Sequence, residues 1–170
     1  MLLRLLMEEI EMNSKMNKLA LAIGAVIMSG SAAAATATQD LSVSADIAAS
    51  CEFGAAASLP FGTLTVSDLA DGKNETTAAS VKITCTNTGV AASLYGGATR
   101  EMINGANTLA YEVYTDAGRT TALGTAALGG ASVIADGTEQ TVTLYGKTTA
   151  SQGTKASGSY SQALVLTVDF

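Results

Sequence analysis

The sequence has no histidine and no tryptophan, one proline, two cysteines and only nine basic residues in 170. Each scarcity excludes something. Without histidine there is no imidazole base, no Ser-His-Asp triad and no histidine-ligated metal. Nine Lys and Arg against 15 Asp and Glu give a net charge of −6 with no basic run. A nucleic-acid surface needs clustered cations, so that class of partner is not expected. Aromatic residues at 5% leave little material for the stacking platforms that bind glycans. What is present is small: 25 alanines from Ala35 onward, with Thr, Ser and Gly filling much of the rest. That is the composition of an exported β protein with small side chains rather than of an enzyme with a crowded site. No catalytic residue, cofactor or metal site is expected.

The N-terminal end reads as a targeting segment. Lys15 and Lys18 precede a run of ten mostly apolar residues (LALAIGAVIM, 19–28), and Ala33-Ala34-Ala35 supplies a small-residue cleavage site. This is a secretory signal peptide, too short to span a bilayer, which needs about 20 residues. Cleavage is expected before Thr36, with Ala35-Thr36-Ala37 as the alternative site before Thr38. Residues 1–11 (MLLRLLMEEIE) put three carboxylates where a signal peptide wants positive charge, whereas Met12 or Met16 would each open a well-formed signal. Residues 1–35 are therefore expected to be removed, with 1–11 or 1–15 a mis-called extension, leaving one acidic domain of about 135 residues.

Two cysteines in an exported chain are most simply a disulfide. Cys51 and Cys85 are 34 positions apart, and closing such a loop removes roughly 3–4 kcal/mol of unfolded-state entropy.

The hydrophobic period is two throughout. Leu41, Val43, Ala45 and Ile47 alternate with Ser42, Ser44 and Asp46. The same pattern recurs at Val81, Ile83 and Cys85, at Leu109, Tyr111 and Val113, at Val142 and Leu144, and at Leu164, Leu166, Val168 and Phe170. Pro60, Asp71-Gly72, Asn104-Gly105, Ala117-Gly118, Gly129-Gly130, Asp136-Gly137 and Gly158 punctuate these runs. Short strands at regular spacing with Gly-containing turns predict an antiparallel β-sandwich, and no segment shows a helical period. The last strand, ending at Phe170, is apolar and would be an aggregation hazard at a sheet edge unless covered. The strand at 41–47, ahead of the first cysteine, can pair within its own domain or serve a neighbouring copy by strand addition. Periodicity does not choose between the two.

Other motifs carry bland readings. Gly146-Lys147-Thr148 resembles the end of a P-loop, but Thr141 stands where the motif's first glycine belongs. Asp68, Asp71, Asn74 and Glu75 gather oxygen atoms without EF-hand spacing and read as a solvated turn. Asn74-Glu75-Thr76 is a chance sequon. Arg100 beside Glu101 reads as a surface pair worth under about 1 kcal/mol. Tyr111 and Tyr114 face opposite sides of one strand, so one is expected in the core and the other at the surface.

Several blocks resemble the spore coat protein U domain, the fold of archaic chaperone–usher pilus subunits. Cys51 followed by Pro60-Phe61-Gly62 is similar to the family's first cysteine and Phe-Gly step, and residues 81–86 (VKITCT) look like the strand that ends in its second cysteine. Arg100-Glu101-Met102 with Leu109, Tyr111, Val113, Tyr114 and Asp116 is similar to an R-x-M … L-x-Y-x-[LV]-Y-x-D block. Gly146 stands for the glycine after the next long strand. Gly158-Ser159-Tyr160 and residues 164–170 (LVLTVDF) look like the closing G-x-Y-x-D-x-x-x-V-x-V-x-F. The chain departs from it at Gln162, where the family usually has Asp; an amide there can still accept one hydrogen bond.

The resemblance implies an incomplete immunoglobulin-like β-sandwich completed by a donated strand. Residues 36–48 would be the N-terminal donor strand, with Leu41, Val43, Ala45 and Ile47 as its apolar face. Residues 49–170 would be the pilin domain, with Leu164, Leu166, Val168 and Phe170 beside the acceptor groove. The implied partners are a periplasmic chaperone, an outer-membrane usher and further copies of this chain or related pilins. The implied destination is a Gram-negative cell surface, where a pilus serves adhesion and biofilm formation.

Overall fold

A computed structural model describes residues 36–86 and 89–170. The signal-peptide expectation lies outside the described residues. The chain divides into two units, Met1–Ser44 and Ala45–Phe170. In the first, residues 36–44 are exposed and belong to no helix or strand.

The second unit is an all-β sandwich of two antiparallel sheets. Its strands are β1 (Cys51–Phe53), β2 (Ala79–Cys85), β3 (Ala91–Gly96), β4 (Glu101–Asn104), β5 (Asn107–Tyr114), β6 (Ala131–Ile134), β7 (Glu139–Thr148) and β8 (Leu166–Asp169). One sheet has the order β1-β2-β7-β5-β4 and the other β6-β3-β8. The long strand β7 pairs with both β2 and β5 and so forms the centre of the larger sheet.

Alternation decides which side chains enter the core. In β2, Ala79, Val81, Ile83 and Cys85 are buried while Ser80, Lys82 and Thr84 are exposed. Leu109, Tyr111 and Val113 do the same in β5, and Tyr114 is half-buried on the other side. Leu94 of β3 and Val133 of β6 close the core from the smaller sheet. Fully burying a side chain such as Ile83 or Leu94 contributes about 1.5–3 kcal/mol.

The expected Cys51–Cys85 disulfide is formed, between residues in direct register on β1 and β2. It fastens a three-residue edge strand that has little packing of its own.

One helix departs from the strand-only expectation: α1, Val66–Asp71. It spans under two turns, too short to register a 3.6-residue period. It forms through a capping box, in which the Asp68 backbone N–H donates to Thr65 Oγ1 and the Thr65 backbone N–H donates to Asp68 Oδ2.

The turns fix a pH dependence. Asp116 accepts from the Thr121 and Thr120 backbone N–H groups, and Asp136 from the Thr138 hydroxyl and N–H. Together with Asp68, capped by Thr65, these carboxyls are held below their ordinary range by hydrogen bonds to the ionised form. A depressed folded value means that the unfolded chain binds protons first as the pH falls. The stabilisation is therefore complete above the ordinary carboxylate range of about 4 and is lost as the pH drops through the folded values. With no histidine, no side chain of ordinary pKa titrates between about 5 and 8. Thermal melts in a pH series are expected to be level from about pH 5.5 to 8 and to fall below about pH 4. A step between pH 6 and 7 would contradict this reading.

Candidate functional site

Strand β8 pairs with β3 on one side only; among the described residues no strand pairs with its other edge. The register is Ser93↔Asp169, Leu94↔Val168, Tyr95↔Thr167 and Gly96↔Leu166, and the Gly97 N–H donates to the Val165 carbonyl. In an antiparallel pair, hydrogen-bonded and non-bonded positions alternate. Val165, Thr167 and Asp169 thus spend their backbone groups on β3, and those of Leu164, Leu166 and Val168 face the free edge. The side chains of Leu164, Leu166 and Val168 pack partly against the core, while Phe170 is about half exposed.

Along that edge the sandwich is open. A groove of about 420 Å³ has Ala79, Val81, Tyr111, Val113 and Leu144 as its floor. Leu164 and Leu166 form one wall, and Leu59 and Phe61 the other. Gly146 sets the second wall: a Cβ there would come within 2.7 Å of Leu59 Cδ2 and 2.9 Å of Phe61 Cζ, so only glycine lets these side chains settle on β7. Phe61 also meets Tyr111, with ring centroids 5.8 Å apart. Thr76 ties the same segment down, donating from its N–H (2.7 Å) and hydroxyl (3.1 Å) to the Pro60 carbonyl. At its lower end the groove continues into a wider, more polar cavity of about 800 Å³. Leu59, Phe61, Met102 and Gln162 line both, and among the described residues Lys155 is the one charged side chain lining the wider part.

Two polar links hold this frame. Arg100 is buried and forms an ion pair with Glu112, and it donates to the carbonyl oxygens of Leu123 (2.6 Å), Gly97 (3.4 Å) and Val113 (3.5 Å). This corrects the expectation of a surface pair with Glu101. Consecutive strand residues point to opposite faces, so the partner comes from the neighbouring strand β5. Burial pushes the Arg100 pKa down from its ordinary value, against the raising influence of Tyr111 and Tyr114. Because Gly97 also binds Val165, Arg100 fixes the base of β8. The second link is Glu75, which receives Arg119 Nε (3.1 Å), Arg119 Nη2 (2.6 Å) and the Gly146 N–H (2.9 Å). Burial alone would raise the Glu75 pKa, but the hydrogen bonds from Arg119 and Gly146 outweigh it, so the carboxyl sits below its ordinary range. Nothing in the sequence pattern joins positions 75 and 119. The close approach required at Gly146 was the available signal for the wall.

At Gln162, Nε2 donates to the Thr99 carbonyl (2.8 Å), and Oε1 is buried without a partner. The four apolar residues of the N-terminal strand expectation are all exposed, Leu41 by 86%, Val43 by 84% and Ile47 by 87%, with Ala45 alike in class.

Gly146, Lys147 and Thr148 lie within β7, so no loop exists there to cradle a phosphate. Asp68 is spent on the helix cap and Glu75 on Arg119, and among the described residues no group of three carboxylates, cysteines or histidines could hold a metal. No helix among the described residues is long and apolar enough to cross a membrane.

The Spore Coat Protein U domain matches residues 37–167. No curated protein matches the chain. The chain belongs to the Spore Coat Protein U domain family, a family of structural pilus and coat domains that includes chaperone–usher pilus subunits.

Proposed function

We propose that this member of the family is a structural subunit of an archaic chaperone–usher surface pilus that polymerises by donor-strand exchange and serves adhesion and biofilm formation. One observation carries the reading: an apolar groove lies beside a strand edge that is unpaired among the described residues, in a chain that also holds an exposed segment of matching pattern. Leu41, Val43, Ala45 and Ile47 present four apolar side chains at alternate positions, as do Leu164, Leu166, Val168 and Phe170. Each set spans six residue steps, about 20 Å at the rise of a strand. A donated strand would take the free backbone groups of β8 and lay its apolar face on the groove floor, which is strand addition with pockets for alternate side chains. Residues 49–170 then act as acceptor and residues 36–48 as donor.

An uncovered apolar edge invites uncontrolled pairing. In this reading a periplasmic chaperone covers it first and an outer-membrane usher oversees the exchange for the strand of the next copy or of a related pilin. The route begins with removal of the predicted signal peptide, residues 1–35.

The direct test is a chain in which a copy of residues 38–48 follows Phe170 through a flexible linker. It is expected to be a soluble monomer that melts higher than the ungrafted chain and does not polymerise. If the graft changes neither stability nor assembly, the groove is not an acceptor, and residues 41–47 serve a stand-alone β-sandwich module instead.

A further inference from the structure

We propose that Lys155, at the lower mouth of the groove, pairs with Asp46 on the strand donated by another copy of this chain and thereby selects the direction in which that strand enters. The inference rests on the donor-strand reading above.

The topology defines two ends of the subunit. Ser50, where the chain enters the sandwich, is tied to Thr86 at the end of β2: the Thr86 N–H donates to the Ser50 carbonyl, and the Ser50 N–H to Thr86 Oγ1. Strand β3 starts at this upper end and β8 finishes there, with Asp169 opposite Ser93. Strand β7, antiparallel to β2, finishes at the lower end, so the 149–165 connection that carries Lys155 belongs to the lower mouth.

A strand lying parallel to β8 would bring its donor's body to the upper end, where the acceptor's own chain enters at Ser50. An antiparallel strand leaves the donor's body beyond the lower mouth, at the opposite end from Ser50. Repeated head-to-tail contacts of that kind give an open filament. Aligned antiparallel over their full lengths, Leu41 comes opposite Phe170 and Ile47 opposite Leu164, so Asp46 arrives at the lower end and Asp40 at the upper one.

The lower mouth is furnished for such an arrival. Lys155 is the only charged residue lining the wide cavity, is half-buried, and makes no ion pair among the described residues. The nearby cation Lys73 is already engaged, with Asp68 at 3.6 Å and the Thr63 carbonyl at 2.6 Å. Gln162, between the two cavities, offers a second unmet group in its buried Oε1. A lone cation at the mouth suits a carboxylate, and the donor carries one on its polar face, Asp46, immediately before the last apolar residue, Ile47. The buried Gln162 Oε1 needs a donor, which a backbone N–H of the incoming strand can supply.

The test is a charge swap in the full exported chain, followed by light scattering as it polymerises. Lys155→Glu and Asp46→Lys are each expected to slow assembly about fivefold at low salt, the size a partly exposed ion pair gives, with the deficit shrinking near about 0.5 M salt. The double variant is expected to assemble within about twofold of the parent, and Lys155→Glu combined with Asp40→Lys to remain slow. Failure of the double variant to recover overturns the proposal, as does rescue by Asp40→Lys, which would mean insertion in the opposite direction. Ile47→Asp run alongside separates the two levels. If it still assembles, the donor-strand reading falls and this proposal with it. If it does not assemble and the swaps have no effect, only the Lys155–Asp46 pair is wrong.

Discussion

Replacing Ile47 with aspartate is expected to abolish polymer growth while leaving the melting temperature of the isolated subunit where it was. In the subunit the Ile47 side chain is 87% exposed and takes no part in the core, so the fold loses nothing when it becomes polar. In a donated strand the same side chain would be buried against the lower part of the groove, where a large aliphatic residue contributes about 1.5–3 kcal/mol. Aspartate forfeits that contribution and adds the cost of desolvating a carboxylate among apolar walls, several kcal/mol unless it is paired. A total near 5 kcal/mol is a factor of several thousand in an equilibrium constant. Val43→Asp should act the same way, whereas Ser44→Asp, on the polar face, should assemble normally. Melting curves and sedimentation of the three variants decide the matter. An Ile47→Asp chain that fails to fold even with the chaperone present would show instead that residues 41–47 belong to the core of their own domain.

Glu75→Ala is expected to destabilise the subunit by about 3–5 kcal/mol, the usual cost of removing one member of a buried ion pair. The Glu75 side chain is 4% exposed and that of Arg119 18%, so water compensates little for either. The substitution removes the one carboxylate partner of Arg119 among the described residues, at a residue whose φ is +55°, leaving it the carbonyls of Ala117 and Gly146. It also deprives the Gly146 N–H of its acceptor. Gly146 lies directly beneath Leu59 and Phe61, so the damage reaches the groove wall as well as the turn. Domains of this size have only about 5–15 kcal/mol in total, so the loss is a large share. Urea titrations would read it as a lower midpoint at unchanged slope. Glu75→Gln, which keeps an acceptor in place, should lose less.

How far the sequence could be read follows from the range of its patterns. A period of two reports which side chains share a face: it picked the inward residues of β2 and β5, while of the last apolar set Leu164, Leu166 and Val168 pack against the core and Phe170 stays half exposed. It carries no information about which strands are neighbours. The segment 41–47 has as regular a pattern as β2, yet among the described residues it belongs to no strand. Arg100 was misread because Glu101 is near in sequence, whereas its partner Glu112 is near only through the β4–β5 pairing. The wall made by Leu59 and Phe61 lies outside any regular strand, and only Pro60-Phe61-Gly62 and the lone Gly146 hinted at it. The link from Glu75 to Arg119 joins two loops 44 residues apart and had no local signature.

If the chain assembles into a fibre by the strand exchange proposed above, the disulfide between β1 and β2 acquires a mechanical meaning. Tension along such a fibre would enter each subunit at Ser50 and first load β1, a three-residue edge strand that hydrogen bonds alone would let peel. The Cys51–Cys85 bond hands that load covalently to β2, within the larger sheet. At the other end the load leaves through the strand in the groove, pulled along its own axis beside β8. All its backbone bonds are then sheared together rather than opened one at a time. How long a fibre survives under flow is set by the unfolding rate under load, so its weak point moves from the subunit's edge to the strand that joins one subunit to the next.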